Sequence, residues 1–120
     1  LEDIFADFKY AGLDCIELIY WVLQKEENVD RAAALSRKHK LPIIGMSCQA
    51  DTWDRAKHNA ILDEAGVIVP RLAKLGGRTM GTSVNTPGRR KTEAEFDAQA
   101  EILRKLIALC KQHGVILNLQ

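Results

Sequence analysis

Apolar residues along this chain switch between two spacings. Leu1, Ile4, Phe5 and Phe8 fall at helical intervals, Gly12 ends that pattern, and a short apolar run follows from Cys15 to Tyr20. The pair predicts a helix feeding a strand. Val29 to His39 predicts a second helix with Asn28 as its N-cap, and Leu41 to Ser47 (LPIIGMS) a second strand. A third helix is expected from about Trp53 or Asp54 to Leu75, then Gly76-Gly77 and a strand from Arg78 to Ser83. Pro70 lies inside that helix and lacks an amide hydrogen, so a kink is expected there. Thr92 and Glu95 form a capping box, and Phe96, Ile102, Leu103, Leu106, Ile107 and Leu109 give the fourth helix a wide apolar stripe. That helix ends at His113-Gly114, and the strand VILNLQ follows.

The helix-to-strand joints at Gly12, Lys40, Gly76 and Gly114 recur at roughly the ~30-residue length of one βα unit. One repeat is visible in the letters: LSRKHKLPI (Leu35 to Ile43) and LCKQHGVIL (Leu109 to Leu117) share a helix end, a His and an apolar strand start. Helices alternating with short β-rich runs imply a parallel sheet, because each crossover returns the chain to the same edge. The fold class expected is therefore α/β: four parallel strands in chain order with helices on the outer face. Either Ile16, Ile44 and Leu117 or their alternating neighbours face away from those helices.

Composition narrows the function classes. A net charge of +1 leaves no electrostatic case for DNA, RNA or an acidic membrane surface as partner. Cys15, Cys48 and Cys110 are odd in number, widely spaced and set in apolar segments, which predicts buried free thiols in a reducing compartment. With no membrane-length apolar run and no signal peptide, the expected location is the cytoplasm. The chain begins with Leu1, which points to a fragment.

Several segments carry possible chemistry. Glu17 stands in an otherwise apolar strand, so its carboxylate either lines a site or is a hydrogen-bonded structural acid. Tyr20 and Trp21 close the first strand and Trp53 follows the second; a sugar ring stacks well on such a plane, and Trp53 is the preferred candidate over ordinary packing. Asp51 and Asp54 read as helix caps, and Ser47, Ser83 and Asn85 as strand-end groups able to bind a hydroxylated ligand or form turns. Arg89, Arg90 and Lys91 precede a helix N-terminus, where a phosphate can bind, but without a Gly-rich cradle a solvated basic loop is the preferred reading. Gly76, Gly77 and Gly81 precede and interrupt a strand, which rules out a dinucleotide fingerprint. His39 and His113 end helices, and His58 has no partner spacing for zinc.

AGLDCIEL (Ala11 to Leu18), LAKLGGRTMGTS (Leu72 to Ser83) and HGVILNLQ (His113 to Gln120) resemble the second, fourth and fifth strand regions of the xylose-isomerase-like barrel superfamily, specifically its sugar-phosphate isomerase/epimerase members. The resemblance covers essentially residues 1–120 and implies one partial TIM-barrel domain, from the first helix to the fifth strand, truncated at both ends. A whole (β/α)8 barrel needs roughly 250 residues. The resemblance further implies metal-dependent proton transfer next to a carbonyl on a ketose or sugar phosphate, with the isolated chain inactive. Related alternatives are an inosose dehydratase or an abasic-site endonuclease; a different one is a non-catalytic, self-associating half-barrel. On the resemblance, Glu17, Trp53 and Ser83 contact a small carbohydrate substrate. The family's divalent metal (Mn, Mg, Co or Zn) is held by a Glu after the fifth strand and by Asp, His and Glu on later strands. Gln120 occupies the first of those positions; it offers one neutral carbonyl oxygen and is at best a weak ligand. Four strands also leave two open sheet edges, through which homo-oligomerisation is expected.

Overall fold

A computed structural model describes all 120 residues, Leu1–Gln120. Helices α1 (Glu2–Tyr10), α2 (Glu26–His39), α3 (His58–Lys74) and α4 (Glu93–Gln112) alternate with strands β1 (Ile16–Ile19), β2 (Ile43–Ala50), β3 (Thr79–Val84) and β4 (Ile116–Leu119). The strands form one sheet in the order β1-β2-β3-β4, every neighbouring pair parallel. The expected topology is therefore the observed one. Short 3-10 turns at Tyr20–Gln24 and Arg55–Lys57 follow β1 and precede α3.

The core lies between the sheet and its helices. Ile16 and Leu18 of β1, Ile43 and Met46 of β2 and Met80 of β3 meet Phe5, Leu35, Leu72, Ile102 and Leu106 from the helices, all buried. Burial of this apolar surface is the main force that holds the layers together. Ile16 and Leu117 thus turn toward the helices, whereas Ile44, Ile19 and Ile116 lie exposed on the opposite face, which no helix covers.

Local chemistry explains most boundaries. In α4 the Thr92 hydroxyl accepts from the Glu95 amide at 3.2 Å while the Glu95 carboxylate accepts from the Thr92 amide at 2.9 Å, so the box satisfies two otherwise free donors. After α3 and α4 the chain turns through Gly76 and Gly114 at φ +90° and +69°, which glycine adopts without a Cβ clash. After α2 the same turn falls on Lys40 at φ +51°, a strained choice for a side-chain-bearing residue.

Four local readings are corrected. Asn28 is not an N-cap: α2 already begins at Glu26, and the Asn28 amide donates to the Val22 carbonyl at 2.9 Å, tying the helix to the preceding turn. α3 begins at His58, because Asp54 caps the short 3-10 turn instead, its carboxylate accepting from the Ala56 amide at 3.1 Å. β2 extends three residues beyond Ser47, to Ala50, because Ala50 pairs with Val84. Cys15 is exposed; it sits one residue before β1, outside the layer that buries Cys110. Pro70 lies within α3, which continues past it to Lys74. No helix is long and apolar enough to cross a membrane.

Candidate functional site

The four strands run in one direction, so their C-terminal ends gather at one rim. There Tyr20, Trp21, Ser47, Gln49, Ser83 and Gln120 line an open cavity of about 190 Å³ on the uncovered face of the sheet. Ser47, Gln49 and Ser83 share that face because alternate residues of a strand point the same way and Gln49 pairs with Ser83. Gln120 follows β4; its amide donates to the Thr82 carbonyl at 3.0 Å, continuing the ladder, and its side chain lies across Gly81. A Cβ at Gly81 would occupy the space of the Gln120 carboxamide.

The aromatic part comes from the turn after β1. Tyr20 and Trp21 meet edge to face, ring centroids 5.8 Å apart, and Trp21 stays 55% exposed. An exposed indole beside four hydroxyl and amide side chains can stack on a sugar ring and hydrogen-bond its hydroxyls. Cys48, which also lines the cavity, has its thiol pushed up to about 12 by burial.

Of the sequence-predicted residues, Ser83 and Gln120 meet in this cavity. Glu17 does not line it; it is exposed in a separate apolar groove along the β1 edge, with Ile4, Phe8 and Trp21. Trp53 does not line it either. It is half-buried in the turn after β2, and its indole nitrogen is buried without a hydrogen-bond acceptor. Trp21, read as the lesser aromatic candidate, is the one at the cavity, and Gln49 lay beyond the predicted end of its strand. The signal for Gln49 was its two-residue spacing from Ser47.

The surrounding charges are engaged elsewhere. Asp51 is held below its usual carboxylate range by its ion pair with Lys57 and by the Asn85 amide, which donates to it at 2.9 Å, so Asn85 braces the ends of β2 and β3. Arg89 forks onto Glu95 at 2.7 and 3.1 Å, and Lys91 donates to Gln99 at 2.6 Å, which leaves the basic loop with Arg90 alone as a cation directed at neither partner. His58 donates from Nε2 to the Thr52 carbonyl at 2.8 Å and is buried.

A divalent cation does not fit the donors this chain supplies. No three His, Cys, Asp or Glu side chains come together anywhere in it, and the cavity offers a hard cation only neutral oxygens.

Compared with solved structures, the chain superposes on 3-keto-D-glucoside 4-epimerase, YcjR, from E. coli with a TM-score of 0.79 at 18% identity, covering 98% of this chain and 49% of that one. It superposes on a zinc-bound IolI protein with a TM-score of 0.78 at 17% identity, covering 98% and 45%. The fold is that of half a TIM barrel. D-allulose 3-epimerase from Methylomonas sp. matches with a TM-score of 0.74 at 16% identity, covering 98% of this chain and 44% of that one. The chain thus spans about half the length of the barrels it matches, and at these identities the likeness is one of fold. The sequence matches no protein-family model and no curated protein. Within the half-barrel the cavity sits at the C-terminal rim of the strands, the end at which TIM-barrel enzymes place their chemistry.

Proposed function

We propose that this chain forms the sugar-contacting wall of an isomerase- or epimerase-type barrel that moves a proton next to a carbonyl. The supporting observation is the cavity itself: an exposed indole and four neutral hydrogen-bonding side chains, Ser47, Gln49, Ser83 and Gln120, at the strand rim. Its fold neighbours include epimerases whose names give 3-keto-D-glucoside and D-allulose as their substrates. Within this reading the serine hydroxyls and the two carboxamides donate to and accept from sugar hydroxyls, and Trp21 holds a ring face. The lining contains no Lys or Arg, which favours a neutral sugar over a sugar phosphate. It also contains no carboxylate, so this wall binds and orients; the base and the metal ligands of such a reaction are not among its residues.

Titration of the chain with D-allulose, followed by tryptophan fluorescence, tests the reading. A saturable change that Trp21→Ala removes and Trp53→Phe keeps is the expected result. No saturable change, or a response that survives Trp21→Ala, refutes it.

A further inference from the structure

The aromatic side of the cavity stands on a turn with little support of its own. Tyr20–Gln24 is five residues of 3-10 helix, longer than the about three or four that this geometry commonly sustains. No side chain caps its start, and the chain leaves it in extended conformation at Lys25. The last carbonyls of such a turn have no partner within it.

Helices α2 and α3 supply the partners. The Asn28 side-chain amide donates to the Val22 carbonyl at 2.9 Å, and Nη1 of Arg71 donates to the Leu23 and Gln24 carbonyls, both at 2.8 Å. Two turns before Arg71, on the same face of α3, Glu64 accepts from Nε2 of Gln24 at 3.1 Å. Three consecutive carbonyls are thus held from outside, two of them by one guanidinium. Arg71 is half-buried and joins none of the ion pairs of the structure, so its charge is directed at those two oxygens. Hydrogen bonds from an ionised donor are about twice as strong as neutral ones. None of these bonds involves the outer edge of β1, so they hold whatever lies beside that edge.

We propose that Arg71 is the positioning residue of this site: by gathering the Leu23 and Gln24 carbonyls it fixes the 3-10 turn, and through the turn it sets where Tyr20 and Trp21 stand at the cavity. Trp21 immediately precedes the three held carbonyls, so the turn cannot shift without carrying the indole with it. Arg71 itself does not line the cavity and acts through the turn alone. The effect on sugar binding rests on the sugar-wall reading; the effect on the aromatic pair does not.

In a Trp53→Phe background Trp21 is the one indole, and near-ultraviolet circular dichroism with fluorescence anisotropy then reads the turn without ligand. Arg71→Met keeps the packing stem and removes the donors. It should lose most of the near-ultraviolet band and lower the anisotropy, with the far-ultraviolet spectrum retained. Arg71→Lys should restore part of both, because an ammonium keeps the charge without the planar fork. Lys74→Met, which removes the other cation from the last turn of α3, should change neither. Arg71→Met should also bind D-allulose about tenfold more weakly, the effect of one lost bond from a charged donor on the population of the held turn. An unchanged band and anisotropy in Arg71→Met overturns the proposal, as does a loss that Lys74→Met reproduces. If Arg71→Met does not fold, Arg71→Lys decides: lowered anisotropy supports the clamp, and the parent's value overturns it. A parent chain that does not respond to D-allulose refutes the sugar reading alone, and the aromatic signals still decide the role of Arg71.

Discussion

Replacing Gly45 by Ala adds one methyl group at a place where the sheet has no room for it. The new Cβ would lie 2.6 Å from the backbone carbonyl oxygen of Thr79 and on top of the Thr79 hydroxyl. Apolar contacts settle near ~3.5 Å, so the shortfall is about an ångström. The hydroxyl can rotate, but the carbonyl belongs to β3, paired on both sides, and moves only if a strand moves. Overpacking of this kind costs about 1–3 kcal/mol. Loss of unfolded-state freedom on Gly→Ala offsets about 0.4–1 kcal/mol. The net destabilisation is about 1–2 kcal/mol, a fall in melting temperature of about 4–8 °C for a chain of this size. Thermal melts followed by circular dichroism read it directly, with Gly66→Ala as the control. Gly66 lies in α3 with nothing within 4 Å of its added Cβ, so that variant should melt higher than the parent. Equal or higher stability for Gly45→Ala, or an equal loss for Gly66→Ala, would refute the steric argument. Because Ser47 and Gln49 lie on the same strand, Gly45→Ala should also weaken the fluorescence response to D-allulose.

Two further outcomes follow from the titrating groups. The Arg89 fork and the Thr92 amide hold Glu95 at about 2, below its usual 4.5; a depressed carboxylate stabilises the fold above its unfolded value and stops doing so as pH falls through the folded one. Melting temperature should therefore drop between about pH 4.5 and 2, and Glu95→Gln should flatten that part of the profile; an identical profile for the variant contradicts the assignment. Among the thiols, burial raises Cys48 to about 12 and Cys110 to about 11, so a thiol-specific reagent at neutral pH should label the exposed Cys15 first and the other two only on unfolding. Equal labelling of all three in the native chain would contradict it.

Elements set by local chemistry were legible in the letters. The capping box of α4 joins residues three apart, and the breaks in apolar spacing at Gly12, Lys40, Gly76 and Gly114 marked joints that all take positive φ. Elements set by contacts distant in sequence were not. The start of α2 depends on Asn28 reaching back to Val22, and the end of β2 on Ala50 finding Val84, 34 residues later. Trp21 and Trp53 look alike as strand-end aromatics. Only the 3-10 turn that continues β1, and the packing that buries the Trp53 indole nitrogen, separate them.

The site depends on one irregularity that alternation alone predicts wrongly. Ile43 faces the helices, so an unbroken period of two would send Gly45, Ser47 and Gln49 to the helices as well. The register against β1 instead slips: Ile16 pairs with Ile43, but Glu17 pairs with Gly45, leaving Ile44 as an extra residue. That bulge reverses the parity of everything after it. Met46 turns inward to the core beside Leu18, fully buried, and Ser47 and Gln49 turn outward to the rim. Glycine at the second bulged position admits the close approach of Thr79 that the slip creates. The core gains Met46 and the cavity gains two polar groups from the same inserted residue, which ties the packing of this half-barrel to the chemistry of its mouth.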